Sequence, residues 1–321
     1  MFATGINDQR VIHISLMVLV FLPVFVAYTL ERNYQYGDSY WSTYTAMSII
    51  REGNTDLDEY SDAVHGKDNY GVLTLNNHIY SGFPIGASII ALPPLFLANA
   101  LDNDYHTYFT DNFSVVVATE EAIAAFIVAM TAVVIFLIGE LFLKKRYALV
   151  LVFIFSFCTS AWSTASRSLW QHGPSMLCLA IALYLLLLAR NKPKLVQFAA
   201  LPLAFSYVVR PTNSISILFL ALYVLIEYRK YFLRFVFWSL PVAVPFIIFN
   251  YSLYGAPLSS YYSISRLFTN PNFFEALAGN LVSPARGILF FSPVLLFSIA
   301  GLVIKAGAKR LTHLDIYLLG N

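Results

Sequence analysis

The strongest constraint in this chain is a series of apolar runs of bilayer-crossing length, with the charge held between them. The first, Val11–Leu30, has no Asp, Glu, Lys or Arg until Glu31, and about 20 such residues in a helix span about 30 Å of hydrocarbon. Further runs follow at Ala118–Leu143, Tyr147–Trp162, Pro174–Ala189, Leu195–Val209, Ser214–Glu227, Phe232–Tyr251 and Ile288–Ile304, and a ninth begins near Leu311. Only 12% of the residues are charged, against about 25% in soluble domains, too few to clothe a water-facing surface. The reading is an all-α, polytopic transmembrane protein of about 8–9 spans. Val11–Leu30 is longer than a signal-peptide core and runs into Thr29-Leu30-Glu31-Arg32 instead of a small-residue cleavage site, so it reads as an uncleaved span.

Positive charge sets the expected topology. With a cytoplasmic N-terminus and Gly82–Leu101 kept out of the crossing count, every short basic cluster falls inside: Lys144–Arg146, Arg190 to Lys194, Arg229 to Arg234 and Lys305 to Arg310. Only Arg32, Arg51, Lys67, Arg167, Arg210, Arg266 and Arg286 fall outside, all isolated. A crossing at Gly82–Leu101 would invert every later cluster. That segment, with Pro84, Pro93 and Pro94, reads instead as a short, broken amphipathic or re-entrant helix on the outer face. Most of the 18 carboxylates lie between Glu31 and Glu121, which makes residues 31–117 a long acidic outer loop. Within it, Ser39–Arg51 carries aromatic and apolar residues partly along one helical face, as in a helix lying on a membrane surface. No internal repeat is visible, and residues 1–321 read as one transmembrane domain. The stop at Asn321, barely into an apolar run, leaves a truncated form of a longer chain as an alternative.

A net charge of +2 with no long basic run argues against nucleic acid as a partner. Cys158 and Cys178 sit in apolar runs and read as free thiols more readily than as a bridge. The acidic cluster Asp56, Asp58, Glu59 and Asp62 lacks the glycine and terminal glutamate of a calcium loop and reads as a solvated surface. Asn112-Phe113-Ser114 and Asn250-Tyr251-Ser252 fit the glycosylation triplet, which is common by chance.

Few ionisable residues then remain at the outer boundary: Asp38, Glu120, Glu121, Arg167, His172, Arg210, Arg266 and Arg286. Ionisable groups near hydrocarbon cost several kcal/mol unless paired or hydrated, so they mark sites. Arginine suits phosphate because its planar fork takes two oxygens and stays charged. Each residue also has a structural reading. Asp38, in Gly-Asp-Ser, is good turn and N-cap chemistry. Arg210, before Pro211, fits a snorkelling helix end. Gln171 and His172 precede Gly173-Pro174, where His172 either caps a helix or contacts substrate. Glu120 and Glu121 either open the second span, favoured by its dipole, or supply a second carboxylate or a metal ligand. Arg167 is expected to pair with an acidic loop residue.

Several segments together resemble one superfamily. "GDSYWSTYTAMSIIREGNTDLDEY" resembles the start of the first outer loop in GT-C fold glycosyltransferases, in the branch that holds protein O-mannosyltransferases and aminoarabinose transferases. "HIYSGFPIGASIIALPPLF" resembles the segment that follows, although Gly82-Phe83-Pro84-Ile85 stands where the family usually has Lys-Pro-Pro or His-Pro-Pro. "SRSLWQHGPSML", "VVRPTNSI" and "SPARGILFFSPVLLF" are also similar to that superfamily. The resemblance implies a multi-pass enzyme, in the plasma membrane of a prokaryote, with its site on the extracytoplasmic side. It implies inverting transfer of a sugar from a polyprenyl-phosphate carrier to a protein, lipid or glycan acceptor. Asp38 would be the base, with His172, Gln171, Arg210, Arg266 and Arg286 at the sugar or lipid phosphate. No cofactor is assigned, and a divalent metal is left open. The rival readings are a transporter or lipid-handling protein without chemistry, and an inactive or truncated relative. Transporter sites usually lie near the bilayer midplane in repeated halves, a pattern this chain lacks.

Overall fold

The computed structural model describes residues 2–31, 39–62, 71–262, 272–285 and 287–319, with the backbone alone for 2–10 and for Ser260. The described chain is mostly helical. Four of its helical stretches are long and apolar enough to cross a membrane: Val11–Leu30, Phe113–Glu140, His172–Ala189 and Arg229–Tyr254. Other apolar runs form shorter helices, among them Pro193–Val209, Pro211–Glu227 and Leu295–Gly307. The chain divides into two compact units, residues 1–156 with 161–180, and residues 157–160 with 181–321.

In the first unit, α1 (Phe2–Leu30) packs along the helix Phe113–Glu140. Val20, Val24 and Tyr28, spaced one turn apart, are buried, and the Tyr28 hydroxyl donates to the Ser156 carbonyl at 2.8 Å. Val11, Leu19, Leu22 and Val26 stay exposed. A helix apolar on every side whose outer face meets no protein is built to face acyl chains.

Helix α2 (Tyr40–Arg51) forms where the sequence places one, but it does not lie on a surface. Every residue from Trp41 to Ser48 is buried. Trp41, Tyr44 and Met47 share a core with Leu57, Tyr60 and Phe109 and with Ala87, Ala91 and Leu95 of α3 (Gly86–Leu101). The small alanines let the two helices approach. Polar side chains can be buried there because some are satisfied locally: Thr45 donates to the Trp41 carbonyl at 2.8 Å, and Ser48 to the Asp56 carbonyl at 2.7 Å. An unsatisfied hydroxyl would cost about 1–3 kcal/mol.

Helix α3 keeps Ile89, Phe96, Leu97 and Leu101 exposed opposite its buried face, the amphipathic pattern anticipated for Gly82–Leu101. It is not broken: Pro93 and Pro94 sit inside a continuous helix. Their missing N–H groups leave only the carbonyls of Ile89 and Ile90 without a helical donor, and Ile89 is on the exposed face. Strands β1 (Val72–Leu75) and β2 (His78–Ser81) pair antiparallel through Asn76-Asn77, both at positive φ. That is the two-residue hairpin geometry that asparagine tolerates. Two further helices follow, α4 (Tyr105–Asp111) and α5 (Phe113–Glu140). The Asn112 side chain accepts from the Ser114 amide at 3.0 Å, so this triplet asparagine is a helix cap. Helix α6 (Lys145–Phe157) leads to a wide turn at Ala161–Ala165, and α7 (His172–Ala189) runs from the first unit into the second.

In the second unit, α8 (Ala200–Val209) packs on α10 (Phe232–Tyr254), with Tyr207, Phe246 and Tyr262 in mutual ring contact. The other triplet asparagine, Asn250, is buried in α10 and donates to the Phe246 carbonyl. Helix α9 (Ser214–Glu227) and the terminal helices α11 (Phe273–Val282), α12 (Ile288–Phe291), α13 (Leu295–Gly307) and α14 (His313–Leu319) complete it. His313 meets Glu227 at 2.5 Å, and Lys305 meets Asp315 at 2.6 Å. Both cysteines are free thiols.

Candidate functional site

Within the first unit, the polar groups of interest gather around residues 161–171, which lead into α7. The wide turn at Ala161–Ala165 is followed by Ser166, Arg167, Ser168 and Leu169, all buried. Wide helical turns of this kind are rare and cluster at functional positions. Gly173 lets the start of α7 close against the turn, because a Cβ there would meet the Ala165 carbonyl at 3.3 Å and Val128 at 3.5 Å.

Glu120 is the central feature. It is fully buried on α5, and its Oε1 accepts from the Leu169 amide at 2.8 Å. The expectation that Glu120 and Glu121 open their helix is corrected: α5 begins at Phe113, so Glu120 lies two turns inside. The helix dipole acts mainly within the first turn, so the fixed backbone amide of another segment orients this carboxylate instead. Glu121 follows it, half-buried.

Arg167 is buried and its guanidinium is committed. Nε donates to the Trp162 carbonyl at 3.0 Å, Nη1 donates to the Glu31 carbonyl at 2.9 Å, and Nη2 pairs with the Glu31 carboxylate. A cation at the C-terminal end of α1 satisfies a carbonyl and opposes the negative end of the helix. Arg167 therefore holds chain to chain, as the expected pairing with an acidic loop residue implied. Gln171 and His172 are half-buried on the same turn, the His172 ring stacked 6.2 Å from that of Trp170. Thr43 and Ser39, at the start of α2, bury hydroxyl oxygens that have no hydrogen-bond partner among the described residues.

Of the residues singled out from sequence, the structure brings Glu120 of α5 against the turn that leads into Gln171 and His172, through the Leu169 amide. Arg210 belongs to the second unit. It caps the C-terminus of α8 in extended geometry, ahead of the turn Pro211–Asn213, and its carbonyl accepts from the Asn213 amide at 3.1 Å. Burial lowers its pKa from the usual arginine value, yet a guanidinium remains charged at any physiological pH. Asp38, Arg266 and Arg286 lie outside the described residues.

Sequence reasoning missed two partners. Glu31 looked like a span end, although a lone Arg167 in an apolar segment already called for an anion. His78 was read only as part of a family-like segment. It lies against the acidic loop, its Nδ1 2.5 Å from Asp58 Oδ2, and Asp56, Asp58 and His78 form a group able to hold a metal. Glu59 and Asp62 are not part of that group. Comparison with family models, with curated proteins and with solved structures gives no match to this chain.

Proposed function

We propose that this chain is a membrane glycosyltransferase that moves a sugar from a polyprenyl-phosphate carrier to an acceptor on the extracytoplasmic side. The observation that carries this reading is the pinned polar turn of the first unit. A fully buried carboxylate, Glu120, is aimed by the Leu169 amide, and the residues flanking 32–38 are tied down nearby. Glu31 is held through both its carbonyl and its carboxylate by Arg167, and Ser39 leads directly into the buried helix α2. Buried ionisable groups in a membrane protein are costly and mark chemistry by default.

In this proposal Asp38 takes the proton of the acceptor hydroxyl or amine as it attacks the sugar C1, and the lipid phosphate leaves with inversion. Arg210, Arg266 and Arg286 stabilise the departing phosphate. His172 and Gln171 contact the donor, and Glu120 with Glu121 supplies the second carboxylate. The shorter apolar helices also cross, for about 8–9 spans in all. The N-terminus is cytoplasmic and the host membrane is a prokaryotic plasma membrane.

The test is Asp38→Asn in purified, monodisperse protein supplied with a labelled polyprenyl-phosphate sugar. Loss of a general base lowers turnover by about 10²–10⁴-fold. Transfer at the parent rate overturns the mechanism.

A further inference from the structure

We propose that Asp56, Asp58 and His78 form a divalent-cation site, of the kind that takes zinc, which clasps the β1–β2 hairpin to the end of the α2 loop. The three side chains come from two separate chain segments, and their ligand atoms all lie within 4.8 Å of one another. Zinc bonds to imidazole nitrogen and carboxylate oxygen at about 2.0–2.2 Å in a tetrahedral arrangement, which puts its ligand atoms about 3.4 Å apart. Rotation of the exposed side chains by about an ångström, which opens the direct 2.5 Å contact of His78 with Asp58 and draws the more distant ligand atoms in from up to 4.8 Å, reaches that spacing. One nitrogen and two oxygens favour zinc over calcium, which takes oxygen ligands alone.

The backbone under these side chains is fixed by contacts that do not involve the ion. Asp56 bridges to Tyr80 on β2, and its carbonyl accepts from Ser48 of α2 at 2.7 Å. The Leu57 amide donates to the Ile79 carbonyl at 2.7 Å, with Leu57 itself buried in the core. Asp56 bridges to β2 and Asp58 opens the tight helical turn Asp58–Tyr60, and the two carboxylates meet beside His78. His78 opens that strand. The Ile79 amide donates to Asp58 Oδ1 at 2.8 Å, which leaves Oδ2 aimed at the ring nitrogen. A backbone donor orienting a carboxylate ligand is the usual outer support of a metal site.

The Asp58 and His78 side chains keep 40% and 53% of their surface exposed. An ion bound there holds waters on its remaining positions and is reached from solvent. Such a site is structural: it joins residues 56–58 to β2 beside the buried helix α2. It does not depend on the glycosyltransferase reading, and its failure leaves that reading untouched.

The experiment uses the full chain in detergent, stripped with chelator and titrated calorimetrically with zinc chloride. The expected result is one saturable site, with affinity weakened by more than about tenfold in Asp58→Asn and in His78→Gln. His313→Ala, which removes the exposed histidine beside Glu227, leaves it unchanged. All three positions are exposed, so each variant is first checked for an unaltered gel-filtration profile. Cobalt substitution adds a visible absorption band that disappears in His78→Gln. Absence of saturable binding, or binding equal in parent and His78→Gln, overturns the proposal, as does a site lost in His313→Ala instead.

Discussion

Both units of this chain present apolar side chains outward, but among the described residues only the first encloses charged ones, Glu120 and Arg167. Ser42, Thr43, Thr45 and Ser48 are enclosed with them. In the second, Phe237 is 64% exposed, Ile248 63% and Phe297 79%. Both are helical and similarly greasy, so composition does not separate them. The difference lies in what stands in for water. Apolar helices with satisfied backbones tolerate lipid on every side. A polar group withdrawn from water needs a partner supplied by the protein. The first unit supplies partners by folding a loop into a core of its own, with α2 wrapped by α3, α4 and a hairpin. That is where a precisely aimed carboxylate can be held.

The largest test of this contrast is a pair of aromatic truncations. Trp41→Ala empties the centre of the α2 core and is expected to lower stability by about 3–5 kcal/mol. Phe237→Ala, on an exposed face, should stay within about 0.5 kcal/mol. Unfolding of the two variants in the same detergent measures both. Equal losses would mean that α2 is no better enclosed than a lipid-facing helix.

Next in size is Arg167→Met. Breaking a wholly buried ion pair costs about 3–5 kcal/mol, but the Glu31 side chain is 35% exposed. Solvent screening brings the expected loss to about 2–3 kcal/mol. Arg167→Lys should recover less than half, because one ammonium cannot reach two separate carbonyls and a carboxylate with the geometry of a fork. Full recovery by lysine would reduce the contact to simple charge pairing. Glu120→Ala follows at about 1–3 kcal/mol for a buried Leu169 amide left without its acceptor. Glu120→Gln keeps an acceptor oxygen and should stay closer to the parent. Hydrogen exchange at Leu169 reads the difference directly.

These expectations also show what the sequence made legible. Helix α1 could be read from Val11–Leu30 alone, because length and uninterrupted apolarity suffice for a span. Helix α2 could be located but not oriented. Its Trp41, Tyr44 and Met47 are equally suited to a headgroup layer and to a core, and only Ala87, Ala91, Tyr60 and Phe109 from distant segments decide. The end of α5 was misjudged because hydropathy starts at Ala118, whereas the Asn112 cap starts the helix at Phe113. Of the site, the turn at 166–172 was legible as charge in an apolar stretch. The pairing of Arg167 with Glu31 was not, since it joins residues 136 positions apart. The same holds for His78 with Asp58, whose carboxylate the strand amide of Ile79 directs.

The smallest expected effect is a pH dependence confined to the first unit. His106, half-buried on α4, is held below the ordinary imidazole value by burial and by the Arg51 guanidinium, with Glu52 and Asp111 acting weakly in the other direction. Its folded-state pKa is below the unfolded value of about 6.5, so the unfolded chain binds the proton more readily. Stability from this residue is complete above about pH 6.5 and declines as pH falls through the depressed folded value. His106→Gln removes a proton-binding group from both states and should flatten that part of the acid-side slope. The comparison is between parent and variant stability curves from pH 7.5 to about 5, so other titrating groups cancel. Parallel curves would show His106 to be as freely solvated as an exposed histidine, and the enclosure of the loop would then stop short of α4.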